Sequence, residues 1–314
     1  MQALRIQPFS DDHLDDAAAL LAERHRRHRG AEPLLPAIAD LRAEIEGAWR
    51  AEAASGAAAF RGDQLVGYVV GAPREDPVWG ENVWVELAGH AVSDPETVRD
   101  LYHLAAARWV EEGRTRHYAL VPASDEALVD AWFRLSFGQQ HAMGIREVPP
   151  DAAFPDGTRE ATEDDLEAMV ELGPLLSRHQ ALAPVFGSHR EPTEEEIRKD
   201  IAEDLAAPNV GNLLAELDGR VVGNFVVVSA DVSSMHSGLA RPERAAFLGF
   251  AITAPEARGS GAGVALTEAC FAWARARGFD TMVTDWRVTN LLSSRFWPQR
   301  GFRHTFLRLY RSIP

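Results

Sequence analysis

The sequence predicts an α/β (α+β) protein built as a tandem repeat of two similar halves. Three observations carry this. The order strand, two helices, three or four strands, helix, strand, helix, strand reads out twice along the chain. Short segments echo each other: Gly62-Asp63-Gln64-Leu65-Val66-Gly67 matches Asp218-Gly219-Arg220-Val221-Val222-Gly223, and Glu126…Trp132-Phe133 matches Asn290…Phe296-Trp297. Between the halves lies Pro149-Pro150-Asp151-Ala152-Ala153-Phe154-Pro155-Asp156-Gly157, a linker by composition. The expected division is therefore a first domain at 1–148, a linker at 149–157 and a second domain at 158–314.

In the first half, Leu4–Phe9 alternates as a strand. Ser10-Asp11-Asp12 caps a helix running to about Arg29, with Gly30 as its stop. A second helical stretch occupies Leu34–Ala54. Gly56–Phe60 and Gln64–Gly71 form a hairpin, and Asn82–Gly89 reads as one further strand. Asp94-Pro95-Glu96 opens a helix that Gly113 ends; Arg116–Val121, Asp125–Phe133 and His141–Val148 follow as strand, helix and strand. In the second half, Thr158–Ala161 is a strand, and Thr162 with Asp165 caps a helix. Thr193-Glu194-Glu195-Glu196 is a capping box. Asn212–Leu217 turns at Asp218-Gly219 into Arg220–Val228. Ala246–Thr253 is short and apolar, a buried strand.

Composition narrows the function. Of 314 residues, 46% are hydrophobic and 25% charged, which is ordinary for a globular chain. A formal charge of −15 opposes non-specific nucleic-acid or anionic-membrane binding and mildly favours cationic substrates such as amines. No apolar run is long enough to span a membrane, and the N-terminus lacks a signal-peptide pattern. Cys270 is the one cysteine, so no disulfide or cysteine–zinc site is expected; a buried thiol in a reducing cytoplasm fits. Arg24-His25-Arg26-Arg27-His28-Arg29 is a basic run at a helix C-terminus, read as a solvated, dipole-favoured end rather than a phosphate contact. His25 and His28 lack a third ligand, and no metal is expected.

The chemistry concentrates in Pro255-Glu256-Ala257-Arg258-Gly259-Ser260-Gly261-Ala262-Gly263-Val264, between the strand at 246–253 and a helix at Val264–Arg277. Three glycines in five residues bare the backbone N–H groups, and a helix N-terminus adds its positive dipole end. Arg258 adds a permanent charge. Together they make a pyrophosphate cradle. The run lacks Gly-Lys-Ser/Thr, which excludes a P-loop, and its Gly-x-Gly-x-Gly spacing is not the dinucleotide fingerprint.

Arg258-x-x-Gly261-x-Gly263 resembles the acetyl-CoA loop of the GNAT N-acetyltransferases, Gln/Arg-x-x-Gly-x-Gly/Ala. Asn290, Gly301 and Phe302 stand in register with that family's Asn-(x)6-Tyr-(x)3-Gly-Phe. The resemblance covers both halves and implies two GNAT-like domains, each a mixed, mostly antiparallel central sheet flanked by helices. The tandem layout is similar to that of the mycothiol synthases. By the resemblance, acetyl-CoA is the cosubstrate, held by Ile252, Thr253, Arg258, Gly259, Ser260, Gly261, Ala262, Gly263, Val264, Asn290, Ser293 and Phe296. Ile252 and Thr253 would sit where a bulge splays the strand from its neighbour. The acetyl group would pass to an amine by direct attack in a ternary complex.

One position departs from the pattern. Trp297 stands where the family's tyrosine protonates the leaving thiolate, and an indole N–H is no useful acid. Ser293, Ser294 and Tyr310 are the alternative donors. Asp285 is the first candidate for the general base, followed by Glu243 and His236; His179 and His189 fall in the region that covers the acceptor site in relatives. The first half has Ala91-Val92-Ser93-Asp94-Pro95-Glu96 at the corresponding turn, without glycine and with two acids, so it is expected to have lost the cofactor loop. A non-catalytic acyl-CoA-binding sensor or scaffold is the alternative reading. The tandem halves can stand in for a homodimer, which makes a monomer the expected state, with a homodimer as the other.

Overall fold

The computed structural model describes residues 3–187 and 191–314. His189 lies outside the described residues. The chain divides into two compact units. The first holds residues 1–143, 238–240 and 304–314; the second holds 144–237 and 241–303. The units therefore differ from two contiguous halves: the last strand of the chain is counted with the first unit.

The first unit begins with β1 (Leu4–Pro8), α1 (Leu14–Ala31) and α2 (Leu41–Arg50). It continues with the hairpin β2 (Ser55–Arg61) and β3 (Gln64–Gly71). The expected strand at 82–89 is instead two: β4 (Asn82–Val85) and β5 (His90–Val92). Then come α3 (Thr97–Glu111), β6 (Arg116–Pro122), α4 (Glu126–Phe133) and β7 (Gly138–Glu147), the strand on which the chain passes into the second unit. β1, β2, β3 and β5 pair antiparallel in that order. β4 runs parallel to β6.

The break between β4 and β5 has a physical cause. Residues 86–89 turn tightly, with the Gly89 N–H on the Glu86 carbonyl at 2.8 Å. A Cβ on Gly89 would lie 2.7 Å from the Val70 carbonyl oxygen. The carbonyls freed by this turn are met by buried side chains. Tyr68 donates its hydroxyl to Ala88 O at 2.8 Å, and Arg24 donates to the carbonyls of Leu87 and His90. This corrects the reading of the basic run on α1. Arg26 and Arg27 are exposed, but Arg24, His25 and His28 are buried, and burial pulls Arg24 down to about 10. Gly30 lies inside α1, which continues one residue past it.

The second unit opens with β8 (Thr158–Glu160), α5 (Leu166–Leu172), α6 (Pro174–Ala181) and α7 (Glu194–Ala206). Thr162 with Asp165, and Thr193 with Glu196, form the two expected capping boxes. β9 (Gly211–Leu217), β10 (Arg220–Ser229) and β11 (Ala245–Thr253) follow. Then come α8 (Ala262–Ala276), β12 (Thr281–Arg287), α9 (Ser293–Gln299) and β13 (Arg303–Ser312). β8 to β11 pair antiparallel in sequence order, and β11 pairs parallel with β12. Cys270 is fully buried on α8, and burial holds its thiol protonated.

β13 pairs antiparallel with β6, from Phe306 opposite Pro122 to Ser312 opposite Arg116. Its Phe306 is fully buried, in the first unit's apolar core with Leu21, Leu120 and Met143. Leu239 and Ala240, from the connection between β10 and β11, enter the same core.

Candidate active site

The second unit's sheet opens beside the glycine loop. β11 and β12 pair only from Ala245 opposite Thr281 to Leu248 opposite Thr284. Both strands continue, to Thr253 and to Arg287, without pairing to each other. The parting coincides with a bulge: on β10, Val226 faces Phe250 and Val227 faces Leu248, so Gly249 is the extra residue. The bulge thus lies three residues before Ile252, earlier than the sequence placed it. From 250 to 253, β11 still pairs with β10. Backbone groups alternate in direction along an antiparallel pair, so every second N–H faces the gap left by β12.

The loop after β11 turns over Pro255–Ala257 and delivers two left-handed glycines, Gly259 at φ 84° and Gly261 at φ 96°. Gly261 is the N-cap of α8. Gly261 has no side chain to cap the helix; the Ser260 hydroxyl accepts from the Ala262 N–H at 3.3 Å instead. The next N–H groups of the first turn have no acceptor within the helix. Gly263 differs from the other two. A Cβ there would meet Phe296 and Thr253 at an ordinary 3.6 Å. Arg258 is exposed beside the loop, and no carboxylate pairs with it among the described residues.

A cavity of about 420 Å³ joins these parts. Of the expected cofactor residues, Ile252, Thr253, Arg258, Gly259, Gly261, Gly263, Val264, Asn290, Ser293 and Phe296 line it, whereas Ser260 and Ala262 do not. Leu176, His179, Phe225, Ala251 and Trp297 complete the far wall. Trp297 is 5% exposed and packs its ring 6.0 Å from Phe225 and 5.5 Å from Phe302. No aspartate or glutamate lines the cavity among the described residues.

Asn290 organises the turn between β12 and α9. Its side-chain oxygen accepts from the Leu292 N–H at 3.1 Å and the Ser293 N–H at 3.4 Å, and faces His179 Nε2 at 3.2 Å. The adjacent Gln180 accepts from Arg287 Nε at 3.2 Å. The C-terminal end of α6 is thus tied to this turn at two successive residues.

The sequence candidates for acid and base fall differently. Asp285 is half-buried on β12 and does not line the cavity; its carboxylate acts on His236. His236 is buried, with Nδ1 at 3.1 Å from the Ser233 hydroxyl, and burial lowers its pKa while Asp285 raises it. Glu243 is exposed and also absent from the lining. Tyr310 is on β13, its ring 4.9 Å from Tyr118 in the first unit. Among the proposed hydroxyl donors, Ser293 alone reaches the cavity wall. Leu176, Phe225 and Ala251 carried no signal in the sequence: each is an ordinary apolar residue whose place depends on tertiary folding.

Residues 176–302 match the model of the acetyltransferase (GNAT) family, a span that runs from α6 through the glycine loop to Gly301-Phe302. No curated protein matches the chain in sequence. Among solved structures, a GCN5-related N-acetyltransferase from Sphaerobacter thermophilus is similar over 98% of this chain and 95% of its own, at 13% identity and a TM-score of 0.58. A tandem GNAT protein from the clavulanic acid biosynthesis pathway is similar over 99% and 98%, at 15% identity and a TM-score of 0.50. A glucosamine N-acetyltransferase region of a fungal multi-domain β-N-acetylglucosaminidase is similar over 99% of this chain and 38% of that one, at 16% identity and 0.54. The chain is thus GNAT-like, with the α/β fold of two GNAT-like domains. Among the described residues, no helix is long and apolar enough to cross a membrane.

Proposed function

We propose that the chain is an acetyl-CoA-dependent N-acetyltransferase, with the cosubstrate site in the second unit and none in the first. The observation that supports it most is the continuity of one cavity from the parted strands to Arg258 and the left-handed Gly259 and Gly261. These residues suit the ligand. The first-turn N–H groups of α8 and Arg258 would hold the pyrophosphate. The unpaired edge of β11 would meet the pantetheine amides. Acetyl-CoA would supply an acetyl group already activated as a thioester. The chain's part is to place that carbonyl against inward-facing N–H groups of residues 249–253 and to admit an amine opposite it. Direct attack in a ternary complex needs no nucleophile from the protein, and Cys270 is fully buried.

The wall beyond the loop limits the acceptor. Leu176, Phe225, Ala251 and Trp297 are apolar, and among the described residues no carboxylate of the lining balances a further positive charge. The acceptor we infer is an amine on an apolar or aromatic body with no second cationic group. We place the activity in the cytoplasm and the protein as a monomer. The test is release of CoA thiol from acetyl-CoA across an amine panel containing both benzylamine and a polyamine, with mass spectrometry of the product. Turnover of the polyamine but not benzylamine would overturn the acceptor class.

The buried Trp297 supports a second reading, an acyl-CoA-binding sensor or scaffold without turnover. Tight acetyl-CoA binding with no thiol release for any amine would decide for it.

A further inference from the structure

We propose that His179 is the base that takes the proton from the acceptor amine, through Nδ1, and that Asn290 fixes the tautomer that makes this so. The proposal rests on the acetyltransferase reading above.

Asn290 is buried, at 6% exposure. Two backbone N–H groups, of Leu292 and Ser293, converge on its side-chain oxygen. Turning the amide over would set its NH₂ against those two donors, so the oxygen's position is fixed by chemistry. A carboxamide oxygen can only accept. His179 Nε2, at 3.2 Å from it, must therefore carry the hydrogen. In a neutral imidazole with Nε2 protonated, the lone pair is on Nδ1. Among the described residues, Nδ1 has no hydrogen-bond partner, and the ring lines the cavity with Ala251, Ile252 and Trp297.

The surroundings leave the role to this ring. On α6, the neighbouring Arg178 is paired with Glu191 at 2.7 Å. Across the turn, Arg287 holds Gln180, and Arg258 lines the loop end of the cavity. Asp285 bears on the buried His236. Among the described residues, no carboxylate of the cavity wall competes for the proton.

The acceptor enters as an ammonium and gives one proton to His179 Nδ1, leaving a free amine and an imidazolium. The amine nitrogen bonds to the thioester carbonyl carbon, and the C–S bond breaks as the carbonyl re-forms. Of the two protons on the attacking nitrogen, one passes to the departing thiolate and the other stays as the amide N–H. The imidazolium returns its proton to water.

Two measurements test this. In the ligand-free protein, long-range ¹H–¹⁵N spectra should show the His179 ring with Nε2 protonated and Nδ1 bare, and Asn290→Ala should scramble that preference. A ring protonated at Nδ1 in the wild type would overturn the proposal. Second, His179→Gln keeps a donor for Asn290 and removes the base. With acetyl-CoA and benzylamine, kcat should fall by about 100-fold or more, while acetyl-CoA affinity by calorimetry stays within about twofold of wild type, a change worth under ~0.5 kcal/mol. A variant that keeps the wild-type kcat overturns the role of His179 and leaves the transferase reading standing. A wild type that binds acetyl-CoA but turns over no amine removes both.

Discussion

The Thr284 hydroxyl donates a buried hydrogen bond of 2.8 Å to the Leu248 carbonyl, joining the last pair of residues before β11 and β12 part. It ties off the closed end of the gap. Thr284→Val keeps the shape and removes the donor, leaving that carbonyl short of a partner. Unfolding stability should drop by about 1–3 kcal/mol, measured by urea denaturation. A loss well below 1 kcal/mol would show that the carbonyl is satisfied by β10 alone.

Arg258 is exposed, so changing its charge should not disturb folding. Arg258→Glu should weaken acetyl-CoA binding by at least tenfold to a hundredfold, the equivalent of about 1.5–3 kcal/mol for charge-assisted bonds. The counterpart in the first unit is Arg99 on α3, already paired with Glu96 at 3.2 Å. Arg99→Glu should leave calorimetric stoichiometry at about one per chain, the single-site expectation for a loop that has lost its glycines.

The three loop glycines should not respond alike. Gly261→Ala forces an L side chain into φ 96°, at a cost of about 1–2 kcal/mol. Gly263→Ala meets only ordinary contacts and should leave both stability and binding nearly unchanged. Comparing the melting and binding of the two variants separates backbone need from motif spelling.

Acid should strike the first unit through its buried histidines. Burial lowers His28 and His90 to about 3, against an ordinary value of 6.5. Both are neutral in the fold and easier to protonate when unfolded. Their contribution is therefore complete above pH 6.5 and is lost as pH falls from there toward 3. Each can remove at most about 1.4 kcal/mol per pH unit in that window. His28→Gln should give a shallower decline of the urea midpoint between pH 6.5 and 4.5; an unchanged slope would show that His28 is solvated.

Much of this was legible in the sequence because it is local chemistry. The Thr162–Asp165 and Thr193–Glu196 boxes formed as written, since a cap needs only residues three apart. Gly259, Gly261, Arg258 and Asn290 met in one cavity because strand, turn and helix follow one another along the chain. What was misread depends on distant partners. Arg24 looked like a solvated helix end, yet its guanidinium serves the carbonyls of Leu87 and His90, more than sixty residues away. The split between β4 and β5 was hidden for the same reason: residues 82–89 read as one apolar run until Val70 closes on Gly89. The His179–Asn290 bond joins residues 111 positions apart in the chain, and no spacing rule announces it.

The company that β13 keeps has a bearing on biogenesis. Residues 306–312 supply the antiparallel neighbour of β6, and Phe306 fills the same core as Leu21 and Leu120. During synthesis the first unit must therefore wait for residues 306–312, with one edge of β6 unpaired until they emerge. Cutting the gene at residue 148 would release a first half with an open sheet edge and a hole where Phe306 belongs. That fragment should aggregate or remain incompletely folded, and a synthetic peptide of residues 303–314 should bind it and restore cooperative melting. A fragment that melts cooperatively by itself would show that the core closes without Phe306.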